Sequence, residues 1–273
     1  MRPTSLVDGA RAIVLAVEPE TKVALARETS ALWQQGRLGL GALSTQHGMP
    51  DHPGRPAKPL LLAPREMPRR SSHGLRGRIA LLHSLAHIEL NAIDMTWDLI
   101  GRFAHASLPR NFLDDWVRVG LEEAEHFTLL TQRLAELDAA YGDLPAHDGL
   151  WQAAHATGGS LIARLAVVPL VLEARGLDVS PAMIAKLEAA ADPSSASILS
   201  TIYHDEKRHV AFGAKWFRHL CQRENLQPER TFHDLVRQYF RGPVKPPFND
   251  RARAEAGLTP GFYKPLVATG AAG

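Results

Sequence analysis

Two short strings, Glu122-Glu123-Ala124-Glu125-His126 and Asp205-Glu206-Lys207-Arg208-His209, each place Glu-x-x-His behind an acidic residue, inside stretches whose apolar residues recur at helical spacing. On a helix, side chains three positions apart lie roughly 60° apart around the axis, so the Glu and the His of each string can reach one point beside it. One such pair is half of a metal site. Two pairs, with two further carboxylates, would complete a bimetallic one, and this requirement constrains how the chain folds.

Four stretches carry apolar stripes with few helix breakers. The first, about Leu75–Ala104, aligns Leu82, Leu85, Glu89, Ala92 and Thr96, and Ser107–Arg110 reads as the turn after it. The second, about Asn111–Ala140, aligns Phe112, Trp116, Val119, Glu123, His126, Leu130 and Leu134. The third, about Leu150–Arg175, aligns Ile162, Ala166, Pro169/Leu170 and Glu173; Gly176 is its stop signal. A short helix at Pro181–Ala191, with Ser180 as N-cap, and the Asp192-Pro193 turn lead to the fourth, about Ser194–Arg223. Its stripe is Leu199, Ile202, Glu206, His209, Gly213 and Trp216. No alternating run requires a strand, so the expected class is all-α.

Each stripe is interrupted at one level by residues foreign to a core: Glu89; Glu123 and His126; Glu173; Glu206 and His209. Burying a lone carboxylate costs several kcal/mol or more, so four on core faces need a shared cation or a partner each. Folding the first two helices back on each other brings Glu89 and Glu123 level to within ~3 Å of helical rise. The short helix before Asp192-Pro193 adds ~15 Å of rise and does the same for Glu173 and Glu206. The separations, 123 − 89 = 34 and 206 − 173 = 33, nearly match, as two facing helical hairpins would require. Four carboxylates and two imidazoles suit iron or manganese better than structural zinc, and four carboxylates neutralise two divalent ions. Pro169, four residues before Glu173, removes a helical hydrogen bond and is expected to bend that helix and re-aim the carboxylate.

One Glu, then Glu-x-x-His, then one Glu, then Glu-x-x-His on successive helices resembles the ferritin-like di-iron carboxylate proteins. The string Asp205-Glu206-Lys207-Arg208-His209 is similar to the Asp-Glu-x-Arg-His form of di-iron hydroxylases and fatty-acyl desaturases, and His87-Ile88-Glu89 through His209 resembles an uncharacterised bacterial family of ferritin-like proteins. The resemblance implies a ferritin-like four-helix bundle over 75–223. Residues 1–74 form an N-terminal helix, around Lys22–Gln35, and a Pro/Arg-rich arm, and 224–273 a C-terminal extension; both ends are expected to wrap the bundle. It implies two metal ions, Fe/Fe with Mn/Fe and Mn/Mn as alternatives, held by Glu89, Glu123, His126, Glu173, Glu206 and His209. Asp205, and Glu122 in the equivalent place, would orient ligand histidines from beyond the metal, and Arg208 would neutralise such a carboxylate. The implied activity is oxidation, hydroxylation or desaturation of an organic substrate by activated O2, with an electron-donor protein as a partner and a homodimer as one assembly. The alternative is ferroxidase, peroxide-detoxifying or iron-handling chemistry without an organic substrate. The general acid or base is not identifiable.

Other features are read more plainly. The 273-residue chain has 45% hydrophobic residues, enough for a sizeable core, and 31 basic against 29 acidic residues give no global field that would draw it onto nucleic acid or lipid. The arginines of the arm (Arg65, Arg69, Arg70, Arg76, Arg78) read first as a solvated face; the resemblance to ferritin-like hydroxylases, some of which act on modified tRNA, leaves phosphate or RNA binding as the alternative. A single cysteine, Cys221, excludes an intrachain disulfide, and with no signal-peptide pattern at Met1-Arg2-Pro3-Thr4 a cytoplasmic setting is expected. The longest apolar stretch, Leu165 to Leu172, is too short to span a bilayer. His83, His87, His105 and His204 are read as structural or surface groups, Glu125 as a surface charge, and Tyr203, Trp97, Trp116 and Trp216 as core rather than radical sites.

Overall fold

The structure, a computed structural model, describes residues 3–41, 48–68, 74–104 and 107–267. His105, Arg69 and Arg70 lie outside them. The described residues are helical with no strand, only isolated bridges such as that of Leu61 with Ala146. They form two compact units, divided between His155 and Ala156.

In the first unit, α1 (Leu6–Leu15) begins at Ser5, whose hydroxyl oxygen accepts from the Asp8 N–H at 3.1 Å, and α2 (Pro19–Gln34) opens with proline at the first helical position, where no N–H is needed. The sequence reading placed one helix here; α1 is additional, with Leu6, Ala10, Ile13 and Val14 wholly buried. Two long helices follow, α3 (Gly74–Phe103) and α4 (Arg110–Glu136), close to the expected bounds. They run antiparallel: Glu89 meets His126, while further along α3 a Cβ on Gly120 of α4 would fall 2.7 Å from Trp97 Nε1. Trp97, Trp116 and Phe112 fill the core between them and α5 (Gly149–Ala156) ends the unit.

The second unit corrects the expected third helix. Instead of one helix ending at Gly176, the chain forms α6 (Leu161–Val167), a π-turn over Val168–Glu173, and α7 (Ala174–Ala189), which passes through Gly176 and Pro181 without stopping. The π-turn starts where Pro169 lacks an N–H and crowds the carbonyl four residues back. The Ala174 N–H reaches the Pro169 carbonyl, five residues back. Pro181 does not break α7 because the Leu177 carbonyl, which its missing N–H leaves over, accepts from Asn249 Nδ2 at 3.2 Å. Asp192 caps α8 (Pro193–Arg223), accepting from the Ser195 N–H at 3.1 Å. α7 and α8 are antiparallel, since Gly176 lies beside Glu206 and Pro169 beside Gly213. The C-terminal residues form α9 (Pro228–Tyr239), α10 (Asp250–Glu255) and α11 (Pro260–Tyr263). Phe217 of α8, Phe232 of α9 and Phe262 of α11 join in one edge-on aromatic cluster. Buried Arg253 forks onto Asp178 of α7 at 2.8 and 2.7 Å.

Candidate metal centre

The six residues gather as two triads, one in each unit. In the first, α3 supplies Glu89 and α4 supplies Glu123 and His126, with one donor atom of each inside a 4.8 Å circle. His126 Nδ1 stands 3.3 Å from Glu89 Oε2 and 3.4 Å from Glu123 Oε2. All three are buried. Burial pushes the Glu89 carboxyl well above its ordinary range; His126 opposes that rise and the Glu123 charge adds to it. In the second, Glu173 at the end of the π-turn meets Glu206 and His209 of α8 within the same 4.8 Å limit. His209 Nδ1 lies 3.6 Å from Glu206 Oε1. Glu173 is half-buried, so this triad is the more open of the two.

The Glu-x-x-His spacing acts as expected in both units, joining a carboxylate and an imidazole on one helix face to a carboxylate from the neighbouring helix. Each triad offers two hard oxygens and one borderline nitrogen at coordinating separation, a donor set that fits a divalent first-row cation and lacks the thiolates of a structural zinc site. The buried charge argues the same way: two carboxylates at this separation repel each other, and a cation reverses the sign of that interaction.

A network absent from the sequence reading stands beside the first triad. Lys22 of α2, wholly buried, donates to the Ile13 and Val14 carbonyls at 3.0 and 2.9 Å and to Asp94 at 2.6 Å. Arg55 donates to the other oxygen of Asp94 at 2.5 Å and to Asn91 at 2.6 Å. Burial pulls the Lys22 ammonium pKa down and lifts that of the Asp94 carboxyl, while the opposite charges, Arg55 included for Asp94, work against both shifts. Asp94 is five residues beyond Glu89, so the network pins the helix that carries that carboxylate. An ionisable residue inside Ile93-Asp94-Met95 was the available signal; its partners, 72 and 39 positions away, gave none.

His87 points elsewhere, toward the Tyr141 hydroxyl at 2.8 Å and the His147 carbonyl at 3.1 Å, and burial lowers its pKa to about 4. His83 Nε2 accepts from the Gly142 N–H at 2.9 Å. With Met67, Ile88, Pro145 and Leu150 these histidines line a cavity of about 120 Å³, turned ~100° or more around α3 from Glu89. His204 is exposed, Glu125 pairs with Arg27 at 2.8 Å on the surface, and Trp97, Trp116 and Trp216 are buried.

A family model described as protein of unknown function, DUF455, matches residues 15–264, a span that includes both triads. The chain belongs to the DUF455 family. An uncharacterised protein of Haemophilus influenzae (strain ATCC 51907 / DSM 11121 / KW20 / Rd) is 41% identical to this DUF455 chain over 209 residues, 75% of this chain and 73% of that one. No solved structure matches it. In this DUF455 protein the acidic residues preceding each Glu-x-x-His bear arginines: Asp205 accepts from Arg208 at 2.6 Å, and Glu122 from Arg118 at 2.9 Å. No helix among the described residues is long and apolar enough to cross a membrane.

Proposed function

We propose that this chain is a ferritin-like four-helix bundle protein whose two triads hold two metal ions, iron in the first instance. The observation that carries this reading is the duplication: each unit independently brings one Glu and one Glu-x-x-His together within 4.8 Å, on an antiparallel helix pair, among otherwise apolar positions. Bound there, the metal pair would supply the redox equivalents for reducing dioxygen, and the activity is oxidation, hydroxylation or desaturation of a small organic substrate, with electrons from a donor protein. The chain's part is to fix the donors, keep water out of the first triad, and leave an approach on the Glu173 side, where the carboxylate is half-buried. Asp205 and Glu122 hold charge beside the ligands, and Arg208 and Arg118 offset it.

The test is metal analysis of protein purified without chelators, with optical spectra recorded as oxygen is admitted to the reduced sample. The expected result is about two iron or manganese ions per chain and an oxygen-dependent absorption change. Glu123→Ala and Glu206→Ala should each lose metal while remaining helical. Fewer than about one metal per chain, insensitive to both substitutions, would defeat the site. Native mass distinguishes the second reading, iron handling without an organic substrate: a large hollow oligomer would favour it.

A further inference from the structure

Gly213 lies on α8 one turn beyond His209, on the stripe that carries Glu206, and faces the π-turn. A Cβ at this position would fall 2.6 Å from Pro169 Cβ, 2.7 Å from Pro169 Cγ and 3.3 Å from Leu170 Cδ2. A flexible side chain could swing aside. The proline ring is closed on its own backbone and cannot, so any side chain at 213 must displace the turn itself. That turn ends on Glu173. Its extra residue sets Glu173 back by about one helical position, ~100° around the axis, relative to a straight continuation of α6.

We infer that Gly213 and Pro169 are a positioning pair: the proline forces the π-turn and the missing side chain of Gly213 lets α8 seat against it, which together aim Glu173 at Glu206 and His209. This rests on the metal-binding reading above and adds to it two residues that donate no ligand atom. Their effect falls on the geometry and affinity of the second triad.

The experiment is titration of the metal-free full chain with Co(II), read by visible absorption, with circular dichroism as the check on folding. Wild type should saturate at about two ions. Gly213→Ala should bind the ion at the second triad about ten-fold or more weakly, with an altered ligand-field spectrum. Pro169→Ala restores an N–H that can bond the Leu165 carbonyl, straightens the turn, and should show the same loss; it decides the matter alone if Gly213→Ala does not fold. Gly159→Ala, where no atom lies within 4 Å of the added Cβ, should titrate as wild type. Wild-type affinity and spectrum in folded Gly213→Ala, or in Pro169→Ala, would overturn the positioning role. Absence of Co(II) binding by wild type would instead overturn the metal reading beneath it.

Discussion

Lys22 keeps a charge where solvent does not reach it, and its three protons are taken up by three oxygens: two main-chain carbonyls and one carboxylate. Such a pair adds little over a well-packed apolar alternative, but removing one side of it strands the other. Lys22→Met should therefore lower unfolding free energy by about 3 kcal/mol, toward the lower end of what an orphaned buried ion costs because Arg55 still reaches Asp94. Urea denaturation measures this; a loss below ~1 kcal/mol would mean that Asp94 is satisfied without the ammonium. At this scale the sequence was partly informative. Glu89, Glu123, Glu173 and Glu206 stood out because a carboxylate interrupts an apolar stripe. Lys22 did not, because a lysine in the first turns of a mixed helix ordinarily lies on its solvated side and nothing nearby in sequence announces its burial.

Among the elements, α7 shows how a helix survives two residues that ordinarily end it. Gly176 remains helical, and Pro181 costs no unpaired carbonyl because the Asn249 side chain takes the place of its N–H. The same arm places Arg253 on Asp178, with its guanidinium 4.5 Å from the centroid of the Tyr263 ring. Arg253→Leu should leave Asp178 buried with only Arg175 and the Asn249 N–H as donors and cost on the order of 3 kcal/mol. Limited proteolysis should then cut the chain near Lys245–Asp250 well before wild type is cut. Equal cleavage rates would show that the arm is held by other contacts. The helix pair α3/α4, and α8, were readable from period and turn signals. The stop at Gly176 was not, since stop signals describe what a chain does when nothing else supplies the missing hydrogen bond.

For the whole molecule, the prediction follows from linkage. A metal that binds the folded chain and not the unfolded one adds stability in proportion to the logarithm of its saturation, about 2.7 kcal/mol at a hundred times its dissociation constant. Chelator-treated protein should melt at lower temperature than metal-loaded protein, and Glu206→Ala should reduce the difference sharply. Identical melting curves for the wild-type forms would show that the triads carry no folding energy through a cation. Cys221, the chain's one thiol, is buried and plays no part in such a site; burial pushes its pKa up to about 11.

The sequence by itself determined the helical class, the long helices and which Glu and His residues stand out from the apolar stripes, because helical period and Glu-x-x-His spacing are local properties, expressed within two turns of chain. Tertiary structure decided the rest. The π-turn under Glu173 depends on a glycine 44 positions from Pro169, and the continuity of α7 on an asparagine 72 positions from Leu177. The buried Lys22–Asp94–Arg55 group depends on three segments meeting. In each case a backbone or charge requirement created at one place is satisfied by a group distant in sequence, and only folding brings the two together.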